Sequence, residues 1–489
     1  MDIEVRMKML DTKQEQNGSV LIGLMGIGLD TYWPQFSGLK ERLEGYQRQI
    51  ADRIRSTRSA EILDVGIVDN PVRARQVGSL FRQKQVDLIF LYITTYALSS
   101  TVLPVVQAAG APLVVLNIQP VAAIDYESFN SLGDRGVMTG EWLAHCQACC
   151  VPEIASVFHR AGIPFSLVTG YLQDAQTWES IEEWVQAAHV LKGMRENRMR
   201  VMGHYYGGML DVYTDMTAQL AAFGGHIELI EMDELAEIRK KVGGQEIEGK
   251  LEEFHTRFDV APECEKSELE RAARTSVALD TLVQRHRLGS LAYYYEGQPG
   301  NEHEDIITSV IVGNTLLTGS HVPVAGECEI KNVQAMKILD LIGAGGSFSE
   351  FYAMDFNDDV VLLGHDGPGH FAIAEGRVRL VPLPVYHGKP GKGLSIQMSV
   401  KHGPVTVLSV CERAGKVFLL VAEGESVPGP TLQIGNTNSR YRFPIPAREF
   451  IDRWSMEGPS HHCAVGIGHV GKIIEKFGFL SGLEVKRVC

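Results

Sequence analysis

The chain has 489 residues, of which 45% are hydrophobic and 22% are charged, and its formal net charge is -14. Such a chain can bury several cores, which predicts two to four domains. The negative charge, without a stripe of Lys and Arg, argues against nucleic-acid binding because phosphates need positive side chains. Residues 1–18 lack the apolar core of a signal peptide, and no run of about 20 apolar residues could span a bilayer. We therefore expect a cytoplasmic protein without a membrane partner.

The first third of the chain alternates between short apolar strands and helices. The predicted strands are Ser19–Gly28, Val86–Ile93, Pro112–Ile118 and Pro164–Thr169, and the predicted helices are Ser37–Ser56, Pro71–Gln83 and Leu98–Ala109. Short apolar runs are typical of parallel strands that are buried on both faces. This alternation predicts a doubly wound, Rossmann-like α/β domain over residues 1–173.

Eight cysteines include a Cys146-x-x-Cys149 pair that is followed directly by Cys150. No second pair follows at zinc-finger spacing, and the surrounding segment Gly140–Phe158 has the pattern of a helix. Buried cysteines without paired spacings are usually reduced. We therefore predict buried thiols in this cluster and no disulfide framework.

The remaining two thirds divide into a second α/β segment and a β-rich segment. The second α/β domain, residues 174–323, contains predicted strands Arg200–Gly203, His226–Glu231 and Gly289–Tyr295 and predicted helices Ala218–Phe223 and Glu263–His286. The C-terminal domain, residues 324–489, contains short predicted strands Val360–Leu363, Val378–Val381, Ser395–Ser399, Val405–Val410 and Lys416–Val421. The predicted fold is thus two doubly wound α/β domains followed by a β-rich, barrel-like domain.

Two glutamates and two histidines of the C-terminal domain lie beside glycines or in turns. Glu327 follows Val-Ala-Gly, Glu350 follows Gly-Gly-Ser-Phe-Ser, His365 follows Leu-Leu-Gly, and His462 is the second member of a His-His pair. Carboxylates with neutral imidazoles suit a hard-to-borderline divalent ion, whereas structural Zn²⁺ more often uses thiolates. The four segments predict a Mn²⁺ site, with Mg²⁺ or Co²⁺ as alternative ions.

The same segments resemble the L-arabinose isomerase family and its L-fucose isomerase relatives, which are sugar ketol-isomerases that bind Mn²⁺ through two glutamates and two histidines. The matches are Gly-Glu-x-acid at Glu327 and Glu329, Gly-Gly-x-Phe-x-Glu-x-Tyr at Glu350 and Tyr352, Gly-His at His365, and His-His at His461 and His462. The resemblance implies a sugar substrate, metal ligands at Glu327, Glu350, His365 and His462, and a homo-oligomer, a trimer or hexamer whose neighbouring subunits share each active site.

The chemistry of aldose–ketose isomerisation assigns roles to these residues. A proton must move between C2 and C1, and the cis-enediolate intermediate carries negative charge that a divalent ion can offset. Glu327 and Glu350 are predicted to act as acid and base as well as ligands. His461, Tyr352 and Glu329 are predicted to contact the substrate. A hydride shift in place of the enediolate stays open.

The chain departs from the family in its first domain. The family's Ser-Gln-His and Phe-His turns, which contact the sugar, are replaced by Gly26-Ile-Gly28-Leu29-Asp30 and by Leu116-Asn117. We therefore expect a substrate other than L-arabinose, with Asn117 in the rebuilt pocket. Arg440 lies in a polar loop and is predicted to clamp an anionic group of a 6-substituted hexose, with a salt bridge as the equal alternative.

Three other functions were weighed against the isomerase. A metal-dependent lyase or epimerase of a related sugar acid would use the same enediolate chemistry, and a non-catalytic sugar-binding protein could also contain two α/β domains. Gly466-x-Gly468-x-x-Gly471 matches a dinucleotide-binding turn, but the 18 residues that follow it leave no room for the βαβ unit that such a site requires. The set of carboxylates and histidines favours the isomerase.

Overall fold

The computed structural model describes residues 19–57, 60–384, 386 and 391–489, so the signal-peptide prediction for residues 1–18 falls outside it. The chain divides into two compact units, the first ending at Lys192 and the second running from Gly193 to Cys489. The three domains expected from the sequence, with boundaries at 173 and 323, stay a prediction. Within the described part of the chain, no helix is both long and apolar enough to cross a bilayer.

The first unit is built on a five-stranded parallel sheet with the order β2-β1-β3-β4-β5. Its strands are β1 Val20–Ile27, β2 Ala60–Val68, β3 Leu88–Ile93, β4 Leu113–Gln119 and β5 Ser166–Tyr171. Strand β2 was missed by the sequence analysis because acidic residues interrupt its apolar pattern. The order is that of a doubly wound sheet, in which the connection reverses direction between β1 and β3.

Helices cover both faces of this sheet. They are α1 Leu39–Arg55, α2 Pro71–Lys84, α3 Leu103–Ala109, α4 Tyr126–Ser131, α5 Arg135–Leu143, α6 Val151–Arg160 and α7 Ala175–Glu196. Two glycines of β1 show the two faces, since a Cβ at Gly23 would meet Phe81 of α2 and a Cβ at Gly26 would meet Gln47 of α1. The doubly wound α/β prediction for the first part of the chain is confirmed.

The cysteine cluster differs from its prediction. Segment 140–158 is not one helix, because α5 ends at Leu143 and α6 begins at Val151, where Pro152 suits a first helical turn. Cys146 and Cys149 in the connecting segment form a disulfide, so the prediction of reduced thiols is wrong for this pair. It holds for Cys150, which is buried and free. Two cysteines three positions apart can lie on one turn of a helix or close a loop through a disulfide, so their spacing does not distinguish the two.

The second unit begins with a four-stranded parallel sheet of order β10-β9-β6-β7. Its strands are β6 Arg198–Gly203, β7 His226–Ile230, β9 Ser290–Tyr294 and β10 Val324–Ala325, and the short β8 Asp259–Val260 joins another sheet. The helices of the unit are α8 Met216–Phe223, α9 Met232–Lys240, α10 Gly244–Arg257, α11 Lys266–His286, α12 Glu302–Ile307, α13 Ile311–Thr318, α14 Ile330–Ile342, α15 Ala447–Met456 and α16 Gly471–Ser481.

The rest of the second unit is the predicted β-rich, barrel-like region. Its strands are β11 Gly345–Asp355, β12 Val360–His365, β13 Arg379–Leu383, β14 Gly393–Gln397, β15 Gly403–Arg413, β16 Lys416–Val427, β17 Thr437–Arg442, β18 His462–Ile467 and β19 Glu484–Arg487. Seven of them form one sheet, β15-β18-β11-β12-β17-β16-β19, and an additional pairing of β15 with β16 closes the first six into a ring. Strands β14, β13 and β8 form a small separate sheet in that order.

Helix α14 is buried along nearly its whole length and packs against ring strands β11, β15 and β18. The loop 326–329 connects β10 to this helix, so it lies where the parallel sheet meets the ring. Gly346 permits this close packing, because a Cβ there would lie 2.7 Å from the carbonyl oxygen of Met336 in α14. At Gly346 the backbone of β11 therefore faces the helix.

Candidate metal centre

Strand register brings three of the four predicted ligands together. Glu350 of β11 pairs with His462 of β18 on one side and with Gly364 of β12 on the other. His365 is the next residue of β12. Because adjacent strands lie about 4.8 Å apart, Glu350, His365 and His462 share one edge of the ring.

Glu327 reaches the same edge from the loop between β10 and α14. Glu327 and Cys328 both have left-handed backbone, with φ of +54° and +59°. This conformation costs about 1–2 kcal/mol for each non-glycine residue, so the surrounding structure must impose it. The Cys328 N–H donates to the carbonyl oxygen of Tyr293 at 3.0 Å, and the Glu329 N–H donates to that of Gly326 at 3.0 Å. These bonds fold the loop so that the Glu327 carboxylate turns toward the histidines.

The potential ligand atoms form two overlapping groups. Glu327, His365 and His462 each offer one atom within 4.8 Å of the others, and so do Glu350, His461 and His462. The Glu327 Oε2 atom lies 3.4 Å from Nε2 of His462. Both of these atoms are buried, and neither has a hydrogen-bond partner. A buried carboxylate oxygen and imidazole nitrogen without partners are costly, and a cation between them would satisfy both. The residues therefore fit a divalent ion.

His462 is oriented by a buried carboxylate. Its Nδ1 lies 2.5 Å from Oε2 of Glu329, and the two side chains are 0% and 1% exposed. A carboxylate accepts only, so Nδ1 carries the proton and Nε2 presents its lone pair to the centre. Metal-bound histidines commonly have such a partner, which fixes the ring and raises its basicity. The structure thus places Glu329 behind a ligand, although it was predicted to contact substrate.

His365 is held through its backbone and its ring. Its N–H donates to Oγ1 of Thr437 at 2.9 Å, and the Thr437 hydroxyl donates back to the His365 carbonyl at 3.0 Å. The buried ring of Phe348 lies 4.4 Å, centroid to centroid, from both His365 and His462. Phe348 therefore forms an apolar floor under two imidazoles and limits how far either can tilt.

Tyr352 lies on the same strand as Glu350, two residues further along. Its hydroxyl accepts a hydrogen bond of 2.9 Å from the Asn436 side chain. Burial, together with the nearby charges of Glu350 and Asp366, raises the pKa of Tyr352 far above its ordinary value. The phenol therefore stays protonated and can donate a hydrogen bond to a ligand.

His461 precedes His462 and is oriented by a carboxylate of its own. Its Nδ1 lies 2.7 Å from Oδ2 of Asp211, and its Nε2 lies 3.5 Å from Oε2 of Glu327. Burial lowers the pKa of His461, but the nearby carboxylates of Glu327 and Asp211 outweigh it and raise the pKa to about 9. The side chain is 36% exposed, so it lies at the rim of the centre.

Two other residues singled out in the sequence lie elsewhere. Arg440 on β17 is buried and pairs with Asp355 at 3.4 Å and with Asp358, both at the far end of the β11–β12 hairpin from Glu350. The salt-bridge alternative describes these contacts. Asn117 lies in the first unit, where its amide donates to Thr169 at 3.2 Å, and its contact with substrate stays a prediction.

The glycine-rich turn at Gly471 has a structural role. It connects β18 to α16, and the Gly471 N–H at the start of that helix donates to the Glu423 carboxylate at 2.7 Å. A phosphate would have to displace this carboxylate, which also pairs with Arg487 at 2.9 Å. The exclusion of a dinucleotide site agrees with these contacts.

Sequence analysis missed four residues that support the centre: Asp211, Phe348, Asn436 and Thr437. Phe348 stands inside the Gly-Gly-x-Phe-x-Glu segment, and Asn436 and Thr437 stand in the loop from which Arg440 was chosen. Asp211 follows β6 at the carboxyl end of a parallel strand, which is where α/β sheets place functional side chains. That position was the available signal for Asp211.

Comparison with known proteins gives relatives of low identity and broad coverage. An L-arabinose isomerase from Nocardioides sp. is 24% identical over 347 residues, which is 67% of this chain and 67% of the relative. An L-arabinose isomerase from Mycolicibacterium smegmatis is 21% identical, over 69% of this chain and 68% of the relative. A sulfoquinovose isomerase from Alkalicoccus urumqiensis is 20% identical, over 66% and 72%.

Other comparisons add little. No protein-family model matches the chain. Among solved structures, an ABC transporter solute binding protein from Burkholderia multivorans covers 67% of this chain and 93% of its own, with 11% identity and a TM-score of 0.18. A TM-score this low supports no structural inference.

Proposed function

We propose, for a chain that belongs to the arabinose isomerase-like family of sugar isomerases, that it interconverts an aldose and its ketose with a divalent metal, Mn²⁺ by preference. One observation carries the metal part of the proposal. Glu327, Glu350, His365 and His462 converge from a loop and three adjacent strands, and Glu327 Oε2 and His462 Nε2 are buried there without hydrogen-bond partners. Oxygen and imidazole donors of this kind suit Mn²⁺.

The two carboxylates would perform the proton transfer. When bound, the ion supplies Lewis-acid stabilisation of the negative charge that develops on O1 and O2 of the sugar. Glu327 and Glu350 approach from different elements, so one can accept the C2 proton while the other acts on the oxygens. Through a cis-enediolate, the proton then returns to C1. We assign ligand roles to both, together with His365 and His462.

Neighbouring groups would bind the sugar hydroxyls. Tyr352 keeps its proton and can donate to a hydroxyl oxygen, and Nε2 of His461 can form a hydrogen bond with a second hydroxyl. Asn117 of an adjoining subunit would complete the pocket in a trimer or hexamer. We also propose that the enzyme works in the cytoplasm. The predicted contact of Glu329 with substrate has less support, because its carboxylate is 1% exposed.

The preferred aldose is proposed to be an anionic, 6-substituted hexose in place of L-arabinose. Support comes from the altered turns of the first unit and from one relative, named for sulfoquinovose, a sulfonated hexose. Arg440 is weak support as the clamp, because two aspartates already neutralise it. If another cation serves, Arg440→Ala should change KM equally for neutral and anionic sugars.

The proposal is tested by an aldose panel with a ketose assay. Purified protein with Mn²⁺ should convert at least one of L-arabinose, L-fucose, D-hexoses or 6-substituted anionic hexoses, and chelation should abolish the rate. Glu350→Gln keeps the shape of the side chain but removes charge and basicity, so kcat should fall at least ~10²-fold. Glu425→Gln, an exposed change on ring strand β16, is the matched control and should keep the wild-type rate.

Three results would contradict this proposal. Full activity in excess chelator, with no metal by elemental analysis, would exclude the metal centre. Loss of water or inversion at a single carbon, without ketose, would point to the lyase or epimerase. Binding without turnover across the whole panel would favour the sugar-binding protein.

A further inference from the structure

We infer that Asp211 is a positioning residue that sets His461 apart from His462, so that one histidine serves the substrate and its neighbour serves the metal. The inference rests on the proposed function, since it names the group that gives the exposed histidine its task. Asp211 lies in the turn after β6, 250 positions before His461, and no motif of the C-terminal region contains it.

Asp211 makes two bonds to His461 with one carboxylate oxygen. Oδ2 accepts from the His461 backbone N–H at 2.9 Å and from the ring Nδ1 at 2.7 Å. An ionised carboxylate cannot donate, so the bond places the ring proton on Nδ1. Nε2 then points away from Asp211 and toward Glu327 Oε2, at 3.5 Å. The carboxylate thereby fixes the orientation of the ring and keeps the Nδ1 proton in place.

The two adjacent histidines form a matched pair of carboxylate–imidazole units. Glu329 supports His462 through Nδ1 just as Asp211 supports His461, and both Nε2 atoms lie within 3.5 Å of the same Glu327 oxygen. Their exposure differs sharply. His462 and Glu329 are 0% and 1% exposed, whereas His461 and Asp211 are 36% and 40% exposed. The buried unit suits an ion, and the unit at the rim suits a sugar hydroxyl, which must enter from solvent.

Backbone contacts of Asp211 are separate from this role. Its carbonyl oxygen accepts from Lys331 Nζ at 2.5 Å and from the Ser460 hydroxyl at 3.2 Å. These bonds tie the turn to helix α14 and to the segment before His461. They do not involve the carboxylate, so a substitution of the Asp211 side chain leaves them in place. The effect of the carboxylate can therefore be measured apart from folding.

The test compares Asp211→Asn and Asp211→Ala with Glu329→Gln. Asn removes the negative charge that holds the Nδ1 proton, and its NH₂ group can face the ring in place of its oxygen, so the ring orientation is no longer fixed. For both Asp211 variants, we expect Mn²⁺ affinity by calorimetry to stay within about threefold of wild type. We expect kcat/KM for the best aldose of the panel to fall about 10–100-fold, a cost of ~1–3 kcal/mol. Glu329→Gln should instead lower Mn²⁺ affinity about 10–100-fold.

Binding of an unreactive sugar gives a readout independent of turnover. The alditol made by reducing the best aldose should bind Mn²⁺-loaded Asp211→Asn about tenfold more weakly than wild type. Asp211→Glu, which keeps the charge, should recover part of the loss. Asp215→Asn, four residues along and capping α8, is the matched control and should leave all constants unchanged.

The outcomes separate the two hypotheses. Wild-type protein that isomerises no aldose would overturn the proposed function and this inference with it. Active wild type beside an Asp211→Asn variant with unchanged kcat/KM and alditol affinity would overturn the inference alone. So would an Asp211→Asn variant that loses Mn²⁺ affinity as strongly as Glu329→Gln, because Asp211 would then support the metal.

Discussion

Asp340 and Lys337 form an ion pair inside helix α14, away from the candidate metal centre. Lys337 Nζ lies 2.8 Å from one oxygen of Asp340, and His321 Nδ1 lies 2.8 Å from the other. Burial raises the pKa of Asp340, but Lys337 and His321 outweigh it and lower the pKa to about 2. Because the pKa is lower in the folded state, the ionised carboxylate stabilises the fold at pH values above its ordinary pKa. This contribution is lost as the pH falls toward the lowered pKa.

Replacement of Asp340 should therefore lower the stability of the fold at neutral pH but not in acid. Asp340→Asn should lower the free energy of unfolding at pH 7 by about 2 kcal/mol or more, because Lys337 is also left buried without its partner. The difference from wild type should shrink as the pH falls from about 4 to about 2. Urea unfolding followed by circular dichroism measures this. Asp452→Asn, an exposed change, is the control, and equal stability of Asp340→Asn and wild type at pH 7 would refute the prediction.

Residues beside glycines or turns were the ones that the sequence analysis could single out as a set. Glu327, Glu350, His365 and His462 each follow a glycine, a Gly-rich run or a second histidine, and the structure brings all four together. Asp211 could not be paired with His461 in this way, because no local pattern links residues 250 positions apart. The choice between a clamp and a salt bridge at Arg440 stayed open for a similar reason, since the two aspartates that it contacts lie on a different hairpin. Two side chains that meet only through the tertiary fold have no fixed spacing in the sequence, so the sequence does not reveal them as partners.

At the scale of elements, Gly346 lets strand β11 pack against helix α14. Its φ is +119°, and an added Cβ would lie 2.7 Å from the Met336 carbonyl oxygen. Gly346→Ala should therefore destabilise the second unit by about 1–3 kcal/mol and weaken Mn²⁺ binding, because β11 carries Glu350. Gly343→Ala is an informative comparison. It has φ of +86° but open space around its Cβ position, so its loss should be smaller. Thermal melts measure the loss of stability, and calorimetry measures Mn²⁺ binding. Equal losses for Gly346→Ala and Gly343→Ala would contradict the packing argument.

The predictable elements were those with uniform apolar or helical patterns. The first and last residues of helix α2 and of strands β1, β9 and β12 lie within two residues of the predicted ones. Strand β17 was read as a loop because its residues, Thr437–Arg442, are mostly polar. They are buried nonetheless, since Thr437 bonds the backbone of His365 and Ser439 accepts from the N–H of Val400. A polar strand inside a closed ring has no alternation to reveal it.

At the scale of the whole molecule, the four predicted ligands all belong to the second unit. Metal binding to the folded state should stabilise that unit by about 2.7 kcal/mol when free Mn²⁺ is 100 times its dissociation constant. We expect its melting temperature to rise about 4–5 °C over that in chelator. Scanning calorimetry with Mn²⁺ or EDTA measures the shift, and Glu350→Gln should reduce it. Identical melting curves in both buffers would argue against a resident ion.

The strand that carries His462 is the last of the six ring strands in chain order, yet it pairs between β15 and β11. Its bond to Glu329 joins residues 133 positions apart, and contacts of such long range form late in folding because loop closure is costly. A chain in which β18 has not yet inserted lacks His462 and the closed ring at the same time. The ability to bind a divalent ion would therefore be gained during refolding at the same step as ring closure. The time course of ion binding would then measure the rate of that step.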